Sequence, residues 1–284
     1  MSILPNKSSI KALALDLDGT VLRPGAILSD RTAAVINACR ERSLHIIICT
    51  GRSMGGMTEK FREAFGTSGP MVYFNGAVVA DMPGDKILHA SLLETGAVEA
   101  CVDFARDKDI YYQVFFPGNR EHPKPFLMAE REGAERDQYG GHTGIYSMIG
   151  DLKETLKGPG VTGAIKSMFL AEPEIQDNVL RPFLQERFGD SVYMARTQPT
   201  YLEVLNAKAS KGSGLKIALE YRGLKPEETI AFGDEENDLP MFRLASFSVA
   251  PSSAKETVKA AASLVSGPCE EDGVAAFLEE TFLS

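Results

Sequence analysis

The chain has 284 residues, of which 44% are hydrophobic and 24% charged, and its formal net charge is −9. That length allows two domains, or one large domain with an insertion, and the composition is typical of a globular protein. The acidic balance argues against nucleic acid as a partner, because nucleic-acid binders normally present a basic face.

Apolar runs and cysteines indicate the compartment. No run approaches the roughly 20 apolar residues that a membrane-spanning helix needs, so we expect no membrane partner. The four cysteines, at positions 39, 49, 101 and 269, form no C-x-x-C pair, and we expect reduced thiols rather than a disulfide or zinc framework. We therefore predict a cytoplasmic protein. The sequence leaves the oligomeric state unknown and is compatible with a monomer.

The N-terminal part of the chain alternates between apolar strands and helices. Its strands lack polar alternation, which is typical of a parallel sheet covered on both faces. In chain order we predict a strand at 11–17, a hairpin around RPG (23–25), a helix from about Arg31 to Ser43 capped by Ser29 or Asp30, a strand at 45–49, a helix at about 54–64 and a strand at 71–74.

The C-terminal part repeats this pattern, and the segment between the two parts differs from both. In the middle segment we predict helices at 95–107 and 173–187, strands at 111–116 and 164–171, and a polar, glycine-rich segment at 133–144. Toward the C-terminus we predict a helix at about 211–222 that ends at Gly223, a strand at 229–233, a helix that opens at NDLP, strands at 247–250 and 263–265, and a last helix from Val274.

Together these elements predict an α/β fold. Its core is a doubly wound parallel sheet (Rossmann-like), built from residues 1–88 and 204–284. The intervening residues, 89–203, are predicted to form an inserted α+β cap domain.

Two acidic motifs follow predicted core strands. DLDGT places Asp16 and Asp18 one residue apart, so strand alternation predicts that both point to one side. GDEENDLP carries Asp234 and Asp238, and an EF-hand loop is excluded because Leu239 occupies the position where that loop requires glycine. The alternatives are an ordinary turn and an acidic helix cap, and the cap leaves Asp234 unexplained.

Two further motifs could hold an anion. In CTGR, Thr50 and Gly51 stand where a strand passes into a helix, so a hydroxyl and backbone N–H groups can face an anion. In SKG, Lys211 opens a helix, which is an unfavourable place for a cation unless an anion is bound there. Taken singly, an ordinary helix entry explains CTGR better, and a solvated lysine explains Lys211 equally well. Ligands of open parallel sheets, however, bind beyond the carboxyl ends of the strands, where all four motifs are expected.

In this order the motifs resemble the haloacid dehalogenase-like hydrolase superfamily, specifically its Cof-type branch of small-molecule phosphatases with a large type-two cap. The resemblance is strong over both core halves and weaker through the insertion. PSSA at 251–254 departs from the Met-Gly-Asn-Ala of relatives, so one peripheral asparagine contact is missing. The matching stretches are DLDGT (16–20), TGR (50–52), NG (75–76), LEVLNAKASKGSGL (202–215) and FGDEENDLPMF (232–242).

The resemblance implies hydrolysis of small phosphorylated metabolites, with sugar phosphates as the expected class and Mg²⁺ as the cofactor. It implies that Asp16 is the nucleophile, which becomes an aspartyl phosphate, and also a metal ligand. It assigns Asp18 as the general acid/base, whose backbone carbonyl also binds the metal. Asp234 and Asp238 are implied as metal ligands. Four residues are implied at the phosphoryl group: Thr50, Gly51, Lys211 and Asn237, of which Thr50 and Lys211 are also catalytic groups. Arg52 is implied as a substrate contact.

The insertion resembles the large cap of this branch, which implies that it excludes water and selects the leaving group. Within it, Lys166, Tyr112 and Phe115 are expected to serve packing or solubility. Two other functions stay open. A phosphomutase would return the phosphoryl group to a sugar, and a non-catalytic sensor would only bind the metabolite, although a sensor has no need of Asp16 and Lys211. A dehalogenase is disfavoured because that branch does not need an acid/base at Asp18.

Overall fold

The structure is a computed structural model that describes residues 7–54, 61, 65, 69–82, 86–119, 122 and 124–284. Tertiary contacts divide the chain into two compact units. The first unit contains residues 1–53, 57–89 and 210–284, and the second contains residues 54–56 and 90–209.

The described residues form the following strands and α-helices, numbered in chain order. The strands are β1 (Ala12–Leu15), β2 (His45–Ile48), β3 (Gly69–Tyr73), β4 (Val78–Met82), β5 (Lys86–Ala90), β6 (Tyr111–Phe116), β7 (Phe126–Ala129), β8 (Met148–Ile149), β9 (Lys166–Leu170), β10 (Val192–Gln198), β11 (Tyr201–Asn206), β12 (Thr229–Phe232), β13 (Phe247–Pro251) and β14 (Leu264–Ser266). The helices are α1 (Asp30–Glu41), α2 (Thr95–Lys108), α3 (Ala134–Thr143), α4 (Leu152–Leu156), α5 (Pro173–Ile175), α6 (Arg181–Phe188), α7 (Lys211–Arg222), α8 (Leu239–Leu244), α9 (Glu256–Ala261) and α10 (Gly273–Leu278).

The first unit is built on a five-stranded sheet with the order β14-β13-β12-β1-β2. All four strand pairs are parallel, as the unbroken apolar strands predicted. From β1 the chain moves to β2 on one side and later to β12 on the other side. The strand order therefore reverses between β1 and β12, and such a reversal is where ligands bind in open α/β sheets.

Helices cover both faces of this sheet. On one face, Ala12 and Ala14 of β1 pack in a core cluster with Leu215 and Leu219 of α7. The small alanine side chains leave room for that helix to approach the strand. On the other face lie α1 and α10, and Phe232 of β12 packs against the Phe277 ring at a centroid distance of 5.8 Å. The predicted doubly wound α/β core is confirmed.

The third core strand behaves differently from its prediction. β3 belongs to a three-stranded sheet with the order β3-β4-β5, and β3 and β4 are antiparallel. A single parallel bridge between Cys49 and Val72 connects β3 to the end of β2. The physical reason is a sharp turn at 74–76, where three successive residues have positive φ and reverse the chain.

The second unit contains a six-stranded sheet with the order β10-β11-β9-β6-β7-β8. Its pairs are antiparallel except for β7 with β8. One face packs against helices, with Val98 of α2, Leu152 of α4 and Leu184 of α6 in one core cluster. The boundary predicted between residues 203 and 204 falls inside β11, and the chain returns to the first unit after residue 209. The LEVLN residues (202–206) thus lie in the sheet of the second unit.

Local predictions held where capping or turn chemistry was strong. Ser29 caps α1 by accepting a hydrogen bond from the Thr32 N–H at 3.0 Å, and the hairpin forms through two bonds between Arg23 and Ile27. The polar, glycine-rich segment at 133–144, to which the sequence assigned no element, contains helix α3, whose Tyr139 is buried. The helix predicted at about 54–64 lies largely outside the described residues. Among those described, no helix is long and apolar enough to cross a bilayer.

Candidate active site

Two neighbouring parallel strands place the two acidic motifs side by side. β1 and β12 pair in register, and the Asp16 N–H donates to the Phe232 carbonyl at 3.0 Å. Asp234 follows β12 after Gly233. A Cβ on Gly233 would lie 2.3 Å from the Cβ of Asp238, so only glycine lets this loop fold back so closely.

Three carboxylates and one lysine form a buried cluster at this edge. Oxygen atoms of Asp16, Asp234 and Asp238 lie within 4.8 Å of one another. The Lys211 ammonium donates to Asp16 Oδ1 and to Asp238 Oδ1, each at 2.6 Å. Lys211 is 2% exposed, so this charge is held by its carboxylate partners rather than by water. The structure thus brings together four residues that the sequence placed in three separate motifs.

Burial and mutual repulsion shift the pKa values of these groups. Burial, and then the charges of Asp238 and Asp234, raise the pKa of Asp16 well above its usual value, although Lys211 opposes the shift. Burial and the nearby Asp238 raise the pKa of Asp234 to about 6. Burial alone would lower the pKa of Lys211, but the charges of Asp16 and Asp238 raise it overall. The cluster therefore carries more negative charge than one lysine neutralises, a condition that favours binding of a further cation.

Helix α7 begins so that Lys211 is its first residue. Ser210 caps the helix by accepting from the Ser213 N–H at 3.0 Å, and the Ser213 hydroxyl accepts from the Ser210 N–H at 3.0 Å. The helix dipole disfavours a cation at this end, and the Asp16 and Asp238 carboxylates compensate for it. The sequence position of Lys211 had suggested a bound anion, and the structure shows that protein carboxylates occupy that role.

Asp238 has both of its carboxylate oxygens engaged. Oδ1 accepts from Lys211, and Oδ2 accepts from the backbone N–H groups of Asp234 and Glu235 at 3.0 and 3.1 Å. The side chain is fully buried. Asp238 therefore orders the loop that carries Asp234, in addition to being a candidate metal ligand.

Asp18 does not share the environment of Asp16. β1 ends at Leu15, and the chain then turns, with the N–H groups of Thr20, Val21 and Leu22 donating to the Leu17 carbonyl. The strand thus ends before Asp18, and that both carboxylates point to one side stays a prediction. The Asp18 side chain is 55% exposed and accepts two hydrogen bonds from the Arg52 guanidinium, at 2.8 and 2.5 Å. Arg52, predicted as a substrate contact, is thus a partner of the predicted acid/base.

The CTGR loop follows β2 at the same edge. Thr50 is buried, and its hydroxyl oxygen accepts from the Arg52 N–H at 3.1 Å, which leaves the hydroxyl proton available to a ligand. The loop is anchored to β3 because the Thr50 N–H donates to the Val72 carbonyl at 2.9 Å. The Thr50 hydroxyl and the backbone N–H groups of this loop are the kinds of donor that could hold an anion.

Two residues were not identified as site residues from the sequence. The Thr20 hydroxyl donates to Asp234 Oδ1 at 2.9 Å, which ties the DLDGT turn to the second acidic motif. The Asn75 side chain accepts a hydrogen bond from Asn237 Nδ2 at 3.0 Å. The NG dipeptide had signalled Asn75 as part of a motif without assigning it a role. In the PSSA segment, the Ser253 hydroxyl accepts from the Cys269 N–H at 3.2 Å.

The donor set fits a metal ion that prefers oxygen ligands. Asp16, Asp234 and Asp238 offer three carboxylates within reach of one ion, and Mg²⁺ is among the ions that carboxylate oxygens bind. The turn beside them requires glycine, because Gly19 has a φ of +80° and a Cβ there would lie 2.2 Å from Asp234 Oδ2. Burial and the neighbouring carboxylates raise the pKa values of Asp16 and Asp234, and a cation bound there would favour their ionised forms.

Comparisons with known proteins agree with this geometry. A family model of haloacid dehalogenase-like hydrolases matches residues 13–278. The chain is 30% identical over 281 residues to 5-amino-6-(5-phospho-D-ribitylamino)uracil phosphatase YitU of Bacillus subtilis (strain 168), covering 95% of this chain and 97% of that protein. It is 26% identical to TM0651 from Thermotoga maritima, whose crystal structure matches with a TM-score of 0.83 over 95% of this chain and 97% of the other.

One similar protein is much longer. The chain is 27% identical over 290 residues to Endoribonuclease YBEY, chloroplastic, of Arabidopsis thaliana, covering 95% of this chain but only 46% of that protein. The chain thus spans about half the length of that relative. Because the family model extends over nearly the whole chain, the chain belongs to the haloacid dehalogenase-like hydrolases, as a phosphatase of their Cof-type branch, which confirms the family expected from its motifs.

Proposed function

We propose that the protein hydrolyses small phosphorylated metabolites of the sugar-phosphate class in the cytoplasm, through an aspartyl phosphate on Asp16. The observation that carries this proposal is the Lys211 ammonium held between Asp16 and Asp238 in a buried carboxylate cluster. The Bacillus subtilis relative is named for a phosphorylated ribitylamino compound, which supports a phosphorylated polyol or sugar as the substrate. The four free, buried cysteines are compatible with a reducing compartment.

In the first step, a carboxylate oxygen of Asp16 attacks phosphorus and the bond to the leaving oxygen breaks. Bound Mg²⁺, held by Asp16, Asp234, Asp238 and the Asp18 carbonyl, would neutralise charge on the phosphoryl oxygens. Lys211 opposes the rise in the pKa of Asp16 that burial causes, and it offers a positive charge beside the nucleophile.

The remaining groups of the first unit bind the phosphoryl oxygens and move protons. The Thr50 hydroxyl and the Gly51 N–H donate to the phosphoryl oxygens, and Asn237 supports that contact. Asp18 protonates the leaving oxygen and later removes a proton from the water that attacks phosphorus and releases Asp16. For both transfers, Asp18 has to exchange its bond with Arg52 for bonds to the reacting atoms. We further propose that Arg52, once released, contacts the substrate and that the second unit selects the leaving group.

The roles of the two aspartates can be separated with p-nitrophenyl phosphate. Its nitrophenolate leaves without a proton, so Asp18→Asn should release about one nitrophenol per enzyme and then stall with phosphate on Asp16. Asp16→Asn should show no burst. Wild-type enzyme with a sugar phosphate should release free inorganic phosphate, whereas a phosphomutase would form an isomeric sugar phosphate. A burst from the Asp16 variant, or steady wild-type turnover by the Asp18 variant, would contradict the assigned roles.

A further inference from the structure

Asn75 lies in a turn that contacts three loops of the active site. The turn consists of residues Phe74, Asn75 and Gly76, whose φ angles are +49°, +55° and +95°. Such consecutive left-handed residues are costly, and asparagine is among the few side chains that tolerate this conformation. Asn75 is only 3% exposed, so this conformation does not belong to a solvent-exposed loop. Strain retained in a buried turn points to a function of that turn.

The first contact is with the CTGR loop (residues 49–52). The Asn75 N–H donates to the Thr50 carbonyl and the Phe74 N–H donates to the Arg52 carbonyl, both at 3.0 Å. The Asn75 amide also lies against Gly51, because a Cβ on Gly51 would be 3.0 Å from Asn75 Oδ1. The turn therefore holds the loop on both sides of Gly51.

The second contact is with the GDEEND loop (residues 233–238), and the third is with Ser210, which caps α7. Asn237, which lies between Asp234 and Asp238 in sequence, donates its Nδ2 to Asn75 Oδ1 at 3.0 Å. Gly76 packs so closely on the helix cap that a Cβ there would lie 1.9 Å from the Ser210 carbonyl oxygen. Ser210 directly precedes Lys211. The turn therefore touches the loops that carry Thr50, Asn237 and Lys211, but not the DLDGT loop.

We infer that Asn75 is a positioning residue. Through its bond to Asn237, it sets the GDEEND loop (residues 233–238) at a fixed distance from the CTGR loop (residues 49–52). This inference rests on the proposed function. Asn75 touches no reacting atom, and it acts only by placing Asn237 and Gly51. Residues that orient metal ligands without touching the metal typically contribute about 10- to 100-fold to metal affinity or activity.

The test uses Asn75→Gly in the full-length protein, since glycine adopts the left-handed backbone and removes only the amide. We expect kcat with Mg²⁺ and p-nitrophenyl phosphate to fall by about 10- to 100-fold, with a smaller change in KM. The Mg²⁺ concentration that half-maximally raises the melting temperature should increase by a similar factor without substrate. Asn75→Asp keeps the acceptor for Asn237 and should leave that Mg²⁺ midpoint close to the wild-type value.

A double-mutant cycle locates the effect in the Asn75–Asn237 bond. Asn237→Ala should lose about as much as Asn75→Gly, and the double variant should be no worse than the poorer single variant. Ser43→Gly is the matched control, because Ser43 is another left-handed residue of the first unit (φ +66°) and its change should alter neither kcat nor the Mg²⁺ midpoint. Additive losses, or wild-type values for Asn75→Gly, would overturn the inference. A wild-type protein that neither binds Mg²⁺ nor releases phosphate would instead overturn the proposed function, and this inference with it.

Discussion

Lys166 shows how a buried charge can serve structure rather than catalysis. Its ammonium lies 2.5 Å from Glu203 Oε1 inside the second unit, and the two side chains are 4% and 6% exposed. Lys166 also lies over the Phe115 ring, at 5.3 Å from the centroid. The same Glu203 oxygen accepts from the Thr197 hydroxyl at 3.3 Å. These contacts agree with the packing role expected of Lys166, in contrast to Lys211, whose partners are the proposed nucleophile Asp16 and the proposed metal ligand Asp238.

Removing Lys166 should therefore destabilise the protein strongly. Lys166→Met leaves a buried carboxylate without its cation, and we expect the free energy of unfolding in urea at pH 7 to fall by about 3–5 kcal/mol. Adding Glu203→Leu should recover most of that loss, because an apolar pair of similar size carries no desolvation cost.

The control is an exposed ion pair of the same unit. Lys157 and Glu154 lie 2.9 Å apart with side chains 63% and 72% exposed, and Lys157→Met should leave the unfolding free energy nearly unchanged. Equal losses from the two lysine variants would show that burial of the Lys166 pair has no energetic consequence.

At the scale of elements, the close approach of α7 to α8 fixes the position of Lys211. Gly212 is the second residue of α7, and a Cβ there would lie 2.5 Å from the backbone carbonyl oxygen of Pro240 in α8. Backbone cannot move aside as a flexible side chain can. Glycine at this position thus determines how deeply the start of the helix enters the site.

Gly212→Ala should consequently impair both stability and turnover. Overpacking against backbone costs about 1–3 kcal/mol, and displacement of Lys211 by about 1 Å can reduce kcat by up to 100-fold. Thermal unfolding and steady-state kinetics measure the two effects. Gly96→Ala is the matched control, since Gly96 is the second residue of α2 and a Cβ there would meet nothing within 4 Å. That variant should gain up to about 1 kcal/mol and keep its kcat; a comparable defect in both variants would refute the packing argument.

At the scale of the whole molecule, the carboxylate cluster links stability to pH and metal. The folded state raises the pKa of Asp234 to about 6 and raises that of Asp16 as well, so the metal-free folded chain binds more protons than the unfolded chain. Their contribution to stability is fully present below about pH 4, the pKa of an unfolded aspartate, and is lost as pH rises through the folded values. Metal binding requires the deprotonated carboxylates and has the opposite pH dependence.

We therefore expect two opposite trends between pH 5 and pH 7. In EDTA, the melting temperature of the wild type should fall relative to that of Asp234→Asn as the pH rises, since the variant lacks this titrating group. With excess Mg²⁺, the gain in melting temperature should be larger at pH 7 than at pH 5. Scanning calorimetry of both proteins measures these differences, and identical pH slopes for the two would contradict the link to Asp234.

The sequence by itself determined the features that depend on local pattern. Unbroken apolar strands predicted the parallel sheet, and helix α7 occupies the predicted residues 211–222, because Ser210 and Gly223 terminate it by local chemistry. The order of DLDGT, TGR, SKG and GDEEND identified the family, since those motifs follow strand ends or helix starts that a parallel sheet brings to one edge.

Only the tertiary structure decided the contacts between elements distant in sequence. Asp18 pairs with Arg52, 34 positions later in the chain, which strand alternation could not anticipate. The bond from Asn237 to Asn75 joins residues 162 positions apart, and burial gave helix α3 its place despite glycines in its sequence. Propensity and periodicity describe a residue and its near neighbours, whereas the free energy of these contacts comes from the groups that folding brings together.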